Sequence, residues 1–162
     1  LIDRMMAVPT RAACGDGEHT AFSCRIGTKQ VAVCFVASDT GDWLQYRFGR
    51  SDQAPELVWP EAPTPAARAA EGRVETYAGG GSSWLRFRRG DHAYVVYTGI
   101  GRWGANGAAV ERSGVVVERR GEAVARLDCD DLPRSELGPD WFARVGVQAR
   151  GDSAFDVPSE SP

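Results

Sequence analysis

The sequence lacks the features that mark membrane-spanning and nucleic-acid-binding chains. No run of about 18 apolar residues occurs, so no transmembrane helix is expected. Lys29 is the only lysine, and 22 acidic against 19 basic residues give a net charge of −3. A chain without a basic excess lacks the electrostatic attraction that nucleic acids and anionic membranes favour. We therefore expect neither as a partner.

Side chains suited to catalysis are also scarce. Only His19 and His92 could act as near-neutral general bases, and neither lies beside a nucleophile in a recognisable motif. Gly99–Gly104 has G-x-G-x-x-G spacing, but only residues 105–112 separate it from the next strand-like segment. A dinucleotide site needs a helix and a longer crossover to a parallel strand, so we reject that interpretation. The sequence predicts no enzyme, cofactor or metal site.

What is present fits one exported domain. The chain has 162 residues, 43% of them hydrophobic and 25% charged, which is typical of a soluble globular protein. It begins at Leu1 without an apolar leader, as expected of a mature chain whose signal peptide has been removed. Four cysteines at spacings that match no zinc site favour two disulfides and a periplasmic or secreted location.

The disulfide pairing is open among three alternatives. The segments around Cys24 and Cys34 resemble the arms of a hairpin centred near Lys29, which favours Cys24–Cys34 and leaves Cys14 for Cys129. Two alternatives to a pair of disulfides also remain open. The four cysteines could be reduced core residues, or Cys14 could be a lipid attachment site.

Alternating apolar and polar residues predict that the fold is all-β. Segments such as His19–Ile26, Asp42–Phe48 and His92–Thr98 place apolar side chains at every second position, and turn residues separate them. About eight or nine such segments predict an antiparallel sandwich or flattened barrel. The proline- and alanine-rich stretch from Pro60 to Gly72 is expected to hold one short helix.

The domain is expected to end near its last cysteine. Residues 14–129 are predicted to form a single disulfide-stapled β domain, and 130–162 an irregular C-terminal extension, partly disordered, with one helical turn near Asp140–Arg144. Asp128, Asp130 and Asp131 could hold a hard cation, but we interpret them as a solvated acidic end of the domain.

A glycine-rich segment followed by tryptophan and arginine is the strongest candidate for a binding site. Three consecutive glycines allow the backbone to approach another surface closely, and a following aromatic provides a rigid contact. Arginine beside tryptophan is a favoured composition of protein interfaces. The candidate partner-binding residues are Gly80, Gly81, Ser82, Ser83, Trp84, Arg86 and Arg88.

An overall pattern across residues 14–129 resembles exported bacterial proteins related to the periplasmic inhibitors of invertebrate-type lysozyme. Phe22-Ser23-Cys24 with Val33-Cys34, Leu44–Gly49, Gly79–Asp91 and Gly114–Glu118 carry this resemblance. It implies a β-sandwich that presents a serine- and tyrosine-containing loop to the lysozyme's substrate cleft. The matching loop here would be Gly79–Trp84, with tryptophan where the family has tyrosine.

These observations predict a non-enzymatic protein that inserts the Gly79–Trp84 loop into the acidic cleft of a lysozyme, supported by Arg86 and Arg88. The alternative is an envelope interaction or structural domain that holds another protein or a glycan. A third hypothesis is an enzyme with an unrecognised site, which a deep pocket lined by His92 and carboxylates would favour. A homodimer is a further possibility, because a loop beside a flat edge strand could also pair with a second copy.

Overall fold

The computed structural model describes residues 9–39, 41–62 and 64–160, and it is an all-β sandwich as predicted. Leu1 at the start of the chain, Thr40 in a predicted turn, Pro63 in the stretch predicted to hold a helix, and 161–162 in the predicted tail lie outside the described residues. In chain order the strands are β1 His19–Ile26, β2 Lys29–Val36, β3 Trp43–Gly49, β4 Leu57–Trp59, β5 Glu71–Tyr77, β6 Gly80–Arg89, β7 His92–Gly101, β8 Val110–Arg119, β9 Glu122–Asp128 and β10 Arg134–Ser135.

These ten strands form two separate antiparallel sheets rather than a flattened barrel. Sheet A has the order β10-β1-β2-β3-β4, and sheet B has the order β5-β6-β7-β8-β9. Their facing sides bury an apolar core that includes Phe22, Val33, Tyr46, Phe87 and Val96. Burial of these alternating side chains selects the pairing register of each strand, because a shift of one residue would turn them to the opposite face.

Two helices lie within the described residues, where one short helix and one helical turn were predicted. Helix α1, Ala66–Ala69, is the short helix expected between Pro60 and Gly72, and it ends before Glu71 and Gly72, which already pair with β6. Helix α2, Pro139–Val145, buries Trp141, Phe142 and Val145 over one end of the sandwich. The C-terminal extension is thus part of the core rather than a loose tail.

The two disulfides pair differently from the prediction. Cys14 bonds Cys34, and Cys24 bonds Cys129. Strand β1 ends at Ile26, which pairs with Lys29 across a two-residue turn, so Cys24 lies opposite Val31 and not opposite Cys34. In this register Cys24 projects into the core towards sheet B, whereas Cys34 projects to the outer face of sheet A.

Both outer faces of the sandwich are covered by the chain itself. On sheet A, residues 9–18 lie over Ala32, Cys34 and Trp43. This N-terminal segment is held by the Cys14–Cys34 bond and by Glu18, whose two carboxylate oxygens each lie 2.7 Å from the buried Arg47 guanidinium. On sheet B, residues 149–160, named here the C-terminal strap, cross the outer face.

Candidate functional site

The predicted glycine-rich loop is a tight turn followed by a strand, so the expectation of a protruding loop was wrong. Gly79 has a left-handed backbone (φ 82°) in the turn, and β6 already begins at Gly80, which pairs with Tyr77. Gly81, Ser82 and Ser83 continue the strand and pair with both β5 and β7. Because side chains alternate along a strand, these residues do not form one surface.

The glycines here permit close packing within the protein. A Cβ atom on Gly80 would overlap the carbonyl oxygen of Ile100, and one on Gly101 would overlap the Trp103 ring. The close approach that glycine was expected to allow is therefore internal, between β6, β7 and the loop after β7.

Replacing Gly80 with alanine is expected to lower the free energy of unfolding by about 2 kcal/mol, because the new methyl group must displace backbone rather than a flexible side chain. Urea unfolding followed by circular dichroism measures it. Gly138→Ala is the matched control, since the nearest atom to its Cβ lies 4.0 Å away. Equal effects of the two substitutions would contradict the packing role of Gly80.

Trp84 cannot serve as an exposed contact, contrary to its predicted role. Its side chain is 0% exposed and lies on the outer face of sheet B beneath the C-terminal strap, with its ring centroid 6.3 Å from that of Phe155. The Arg86 guanidinium also stacks on the Trp84 ring, 4.7 Å from its centroid. Trp84 is therefore a core residue of a covered sheet face.

Arg86 and Arg88 are engaged in internal ion pairs. Arg86 is buried and donates two hydrogen bonds to Glu118, at 2.9 and 3.1 Å. Arg88 is half exposed and lies 2.6 Å from the fully buried carboxylate of Glu71. Burial alone would raise the pKa of Glu71, but hydrogen bonds from the Arg150 N–H, the Ser153 hydroxyl and Arg88 hold it below its usual range.

A different site opens at the end of the sandwich opposite α2. A cleft of about 900 Å³, named here the end cleft, lies between the inner face of β5–β8 and residues 128–133. Ser83, Thr98 and Ser113 occupy one row across β6, β7 and β8. All three are half-buried, and their hydroxyl groups have no hydrogen-bond partner among the described residues. The cleft floor therefore presents three adjacent groups that can each donate and accept.

Exposed apolar side chains gather at the rim of the end cleft. Ile100 is 44% exposed and Leu132 is 83% exposed, and both line the cleft. Tyr77, 40% exposed, donates its hydroxyl to the Ile100 carbonyl at 3.2 Å. Val124 is the only other large exposed hydrophobic residue in the described part of the chain. A cluster of this kind is typical of a binding surface.

The acidic residues near the end cleft are mostly engaged in structure. Asp130 accepts from the Gly27 N–H at 2.5 Å, and Asp131 accepts from the Arg25 N–H at 2.9 Å, so both fasten residues 130–131 to β1. Within the described ranges no three His, Cys, Asp or Glu side chains approach closely enough to hold a metal ion. Glu111 remains exposed at the edge of the cleft.

The two histidines and the G-x-G-x-x-G run lie in ordinary structural settings. His19 packs its ring on Phe35, and His92 contacts Asp91 at 2.8 Å in an exposed turn. Gly99–Gly101 ends β7, which returns as the antiparallel β8 without a crossover helix. The run therefore lacks the helix and the parallel strand that a dinucleotide fingerprint requires.

Among the described residues, neither helix is long or apolar enough to cross a membrane. No protein-family model, curated protein or solved structure matches this chain.

Proposed function

We propose that the chain is a non-enzymatic binding domain that holds a carbohydrate in the end cleft. The observation that carries this proposal is the row of hydroxyl groups of Ser83, Thr98 and Ser113, which line the end cleft and have no hydrogen-bond partner among the described residues. Neighbouring strands lie about 4.8 Å apart, so the row offers hydrogen-bonding groups at intervals comparable to one sugar ring.

The apolar rim suits the same class of ligand. A sugar ring has hydroxyl groups at its edge and C–H groups on its faces, so it can bond the hydroxyl row while a face contacts Ile100 and Leu132. A few well-placed polar groups beside apolar side chains are the usual composition of a small-ligand site. Glu111 at the edge of the cleft adds a carboxylate acceptor for a further sugar hydroxyl.

The two disulfides support a location outside the cytoplasm. The four cysteines are paired, and such bonds persist in the periplasm or outside the cell, where they are not reduced. A carbohydrate-binding role is consistent with either compartment.

The lysozyme hypothesis stays a prediction and needs a different contact surface. Trp84 and Arg86 are buried, and the predicted loop is a two-residue turn, so insertion through Gly79–Trp84 has no geometric support. The end cleft can receive a ligand, whereas insertion into the substrate cleft of a lysozyme requires a protruding segment. We therefore favour the glycan over the lysozyme as partner.

Replacing Thr98 with valine is expected to weaken carbohydrate binding at least tenfold, because the hydroxyl group is lost while the shape of the side chain is kept. Isothermal titration with chitotetraose, cellotetraose and soluble peptidoglycan fragments measures the dissociation constants. Thr20→Val is the matched control, since Thr20 lies in sheet A opposite Cys34, away from the cleft. Equal losses in the two variants would contradict the site.

The same protein preparations are tested against invertebrate-, chicken- and goose-type lysozymes. Failure of folded, oxidised protein to bind any of the saccharides would overturn the carbohydrate proposal. Inhibition of a lysozyme without saccharide binding would establish the inhibitor function in its place.

A further inference from the structure

The C-terminal strap is bound to sheet B as an extended peptide would be. Residues 149–160 form no strand or helix, and no backbone pairing joins them to a sheet strand. The strap is instead held by side chains of sheet B. Four guanidinium groups donate to its carbonyl oxygens: Arg73 to Ser153 at 2.5 Å, Arg86 to Ala154 at 2.9 Å, Arg112 to Pro158 at 2.6 Å and Arg126 to Glu160 at 2.7 Å.

One aromatic side chain fixes the strap in register. Phe155 is 7% exposed and fills a pocket formed by Trp84, Val95, Tyr97 and Val116, with its ring centroid 5.4 Å from that of Tyr97. Contacts to the peptide backbone together with a single side-chain pocket are the usual way in which proteins recognise extended segments.

The strap leaves polar groups of this face unsatisfied. The hydroxyl groups of Tyr97 and Ser82 are buried on the outer face of sheet B and make no hydrogen bond within the described residues. The nearest polar groups are the Arg126 guanidinium for Tyr97 and the Tyr77 hydroxyl for Ser82, and neither meets the geometric criteria of a hydrogen bond. Buried polar groups without partners cost about 1 to 3 kcal/mol each, so a ligand that satisfied them would gain interactions that the strap lacks.

Space is also left beside the strap. A cavity of about 820 Å³ lies between the strap and strands β8 and β9, with Arg88, Ala123 and Arg126 in its lining. The strap therefore occupies only part of the available groove.

We propose that the outer face of sheet B is a binding groove for an extended segment of a partner protein, and that the strap is its built-in occupant. The partner segment carries an aromatic side chain for the Phe155 pocket and polar side chains that reach Tyr97 and Ser82. Its carbonyl groups accept from the four arginines. The groove lies on the sheet face opposite to the hydroxyl row, although Ser82, Arg112 and Arg126 also line the end cleft. The proposal does not depend on the carbohydrate.

Competition with the strap sets the condition for binding. A tethered segment acts at an effective concentration on the order of 1 mM, so a partner must bind substantially better than the strap's own sequence to displace it. Weakening the strap should therefore reveal the groove.

The test uses the full chain carrying Phe155→Ala and a fluorescent synthetic peptide with the sequence of residues 149–160. We expect the peptide to bind this variant with a micromolar dissociation constant in fluorescence anisotropy, and at least tenfold more weakly to the wild-type chain. The same peptide with alanine at its phenylalanine should not bind. Val157→Ala, which trims a half-buried contact of the strap, is the second host if Phe155→Ala does not fold.

Absence of peptide binding to a folded variant would overturn the proposal. A second measurement separates a partner site from a merely structural strap: peptides selected from a random library on the wild-type chain. Enrichment of an aromatic residue, with faster proteolysis of the displaced strap, supports the groove. Light scattering that shows dimers formed by exchange of straps would make a second copy the occupant and overturn the partner segment.

Discussion

Removing the bond between Cys24 and Cys129 by alanine substitution at both positions is expected to lower the free energy of unfolding by about 4 to 5 kcal/mol. The bond closes a loop with a sequence separation of 105 residues, and the stabilisation by a cross-link grows with the length of the loop it closes. It also connects β1 of sheet A to the residue that follows β9 of sheet B. Equilibrium unfolding in guanidinium chloride measures the loss.

The second disulfide supplies the comparison. Cys14 and Cys34 are separated by 20 residues, and replacing them with alanine is expected to cost about 3 kcal/mol. An equal or larger loss in this second variant would contradict the loop-length argument. Such a result would show that the Cys14–Cys34 bond stabilises the protein mainly by attaching the N-terminal segment to sheet A.

Replacing Glu71 with glutamine is expected to lower the free energy of unfolding by about 2 kcal/mol, because a neutral amide forms weaker hydrogen bonds than the buried carboxylate and its NH2 group would face the donors of Arg88 and Arg150. The Glu71 carboxylate is fully buried, lies 2.6 Å from Arg88 and 3.6 Å from Arg86, and accepts from the Arg150 N–H at 3.0 Å. Thermal unfolding at pH 7 measures the loss. Glu56→Gln, which breaks only the exposed pair with Lys29, is the control and should change stability by less than about 1 kcal/mol.

The pH dependence of the same variant has a definite sign. The pKa of Glu71 is lowered on folding. Its contribution to the free energy of unfolding is therefore fully present above the pKa of the unfolded chain, about 4.3, and is lost as the pH falls through the lower pKa of the folded protein. Wild-type stability should therefore fall more steeply below pH 4.3 than that of Glu71→Gln. Parallel curves would show that Glu71 does not titrate with folding. Glu18, with its pKa lowered by Arg47 and the Gly15 N–H despite burial, contributes a drop of the same sign in both proteins.

The sequence predicts the fold class well because the alternation of apolar residues follows directly from burial of one strand face. It predicts the disulfides less well, because pairing depends on hairpin register. Placing the turn at Lys29 rather than at Gly27–Thr28 shifts the partner of Cys24 by three residues, from Val31 to Cys34. An odd shift also moves a side chain to the opposite face of the sheet.

The error at Trp84 has a related cause. Alternation shows which residues share a face but not what covers that face. A signal was present in β7, where Ala93–Tyr97 is an uninterrupted apolar run, and such runs are typical of strands buried on both sides. This signal could be interpreted only if a segment was known to cover the outer face of sheet B. The C-terminal strap covers it, but the strap's polar, proline-containing sequence resembles that of disordered tails.

The hydroxyl row could have been found from hairpin geometry. The turn at Gly90-Asp91 sets the register of the β6–β7 hairpin and pairs Ser83 with Thr98. Because side chains alternate along a strand, Ser83 points inward like Leu85, and Thr98 points inward like Val96. Ser113 required the register of β8, which the irregular loop between Gly101 and Val110 conceals. Sequence reasoning missed the site because each hydroxyl residue is unremarkable alone.

The crossing connectivity of the disulfides has a consequence for biogenesis. A chain that enters an oxidising compartment N-terminus first exposes Cys14, Cys24 and Cys34 together, long before Cys129 arrives. During that interval Cys24 has no native partner, and its thiolate can attack a bond formed by the other two. Every early bond that includes Cys24 is non-native and must be exchanged before Cys129 can pair, so we expect a thiol–disulfide isomerase to raise the yield of oxidised protein.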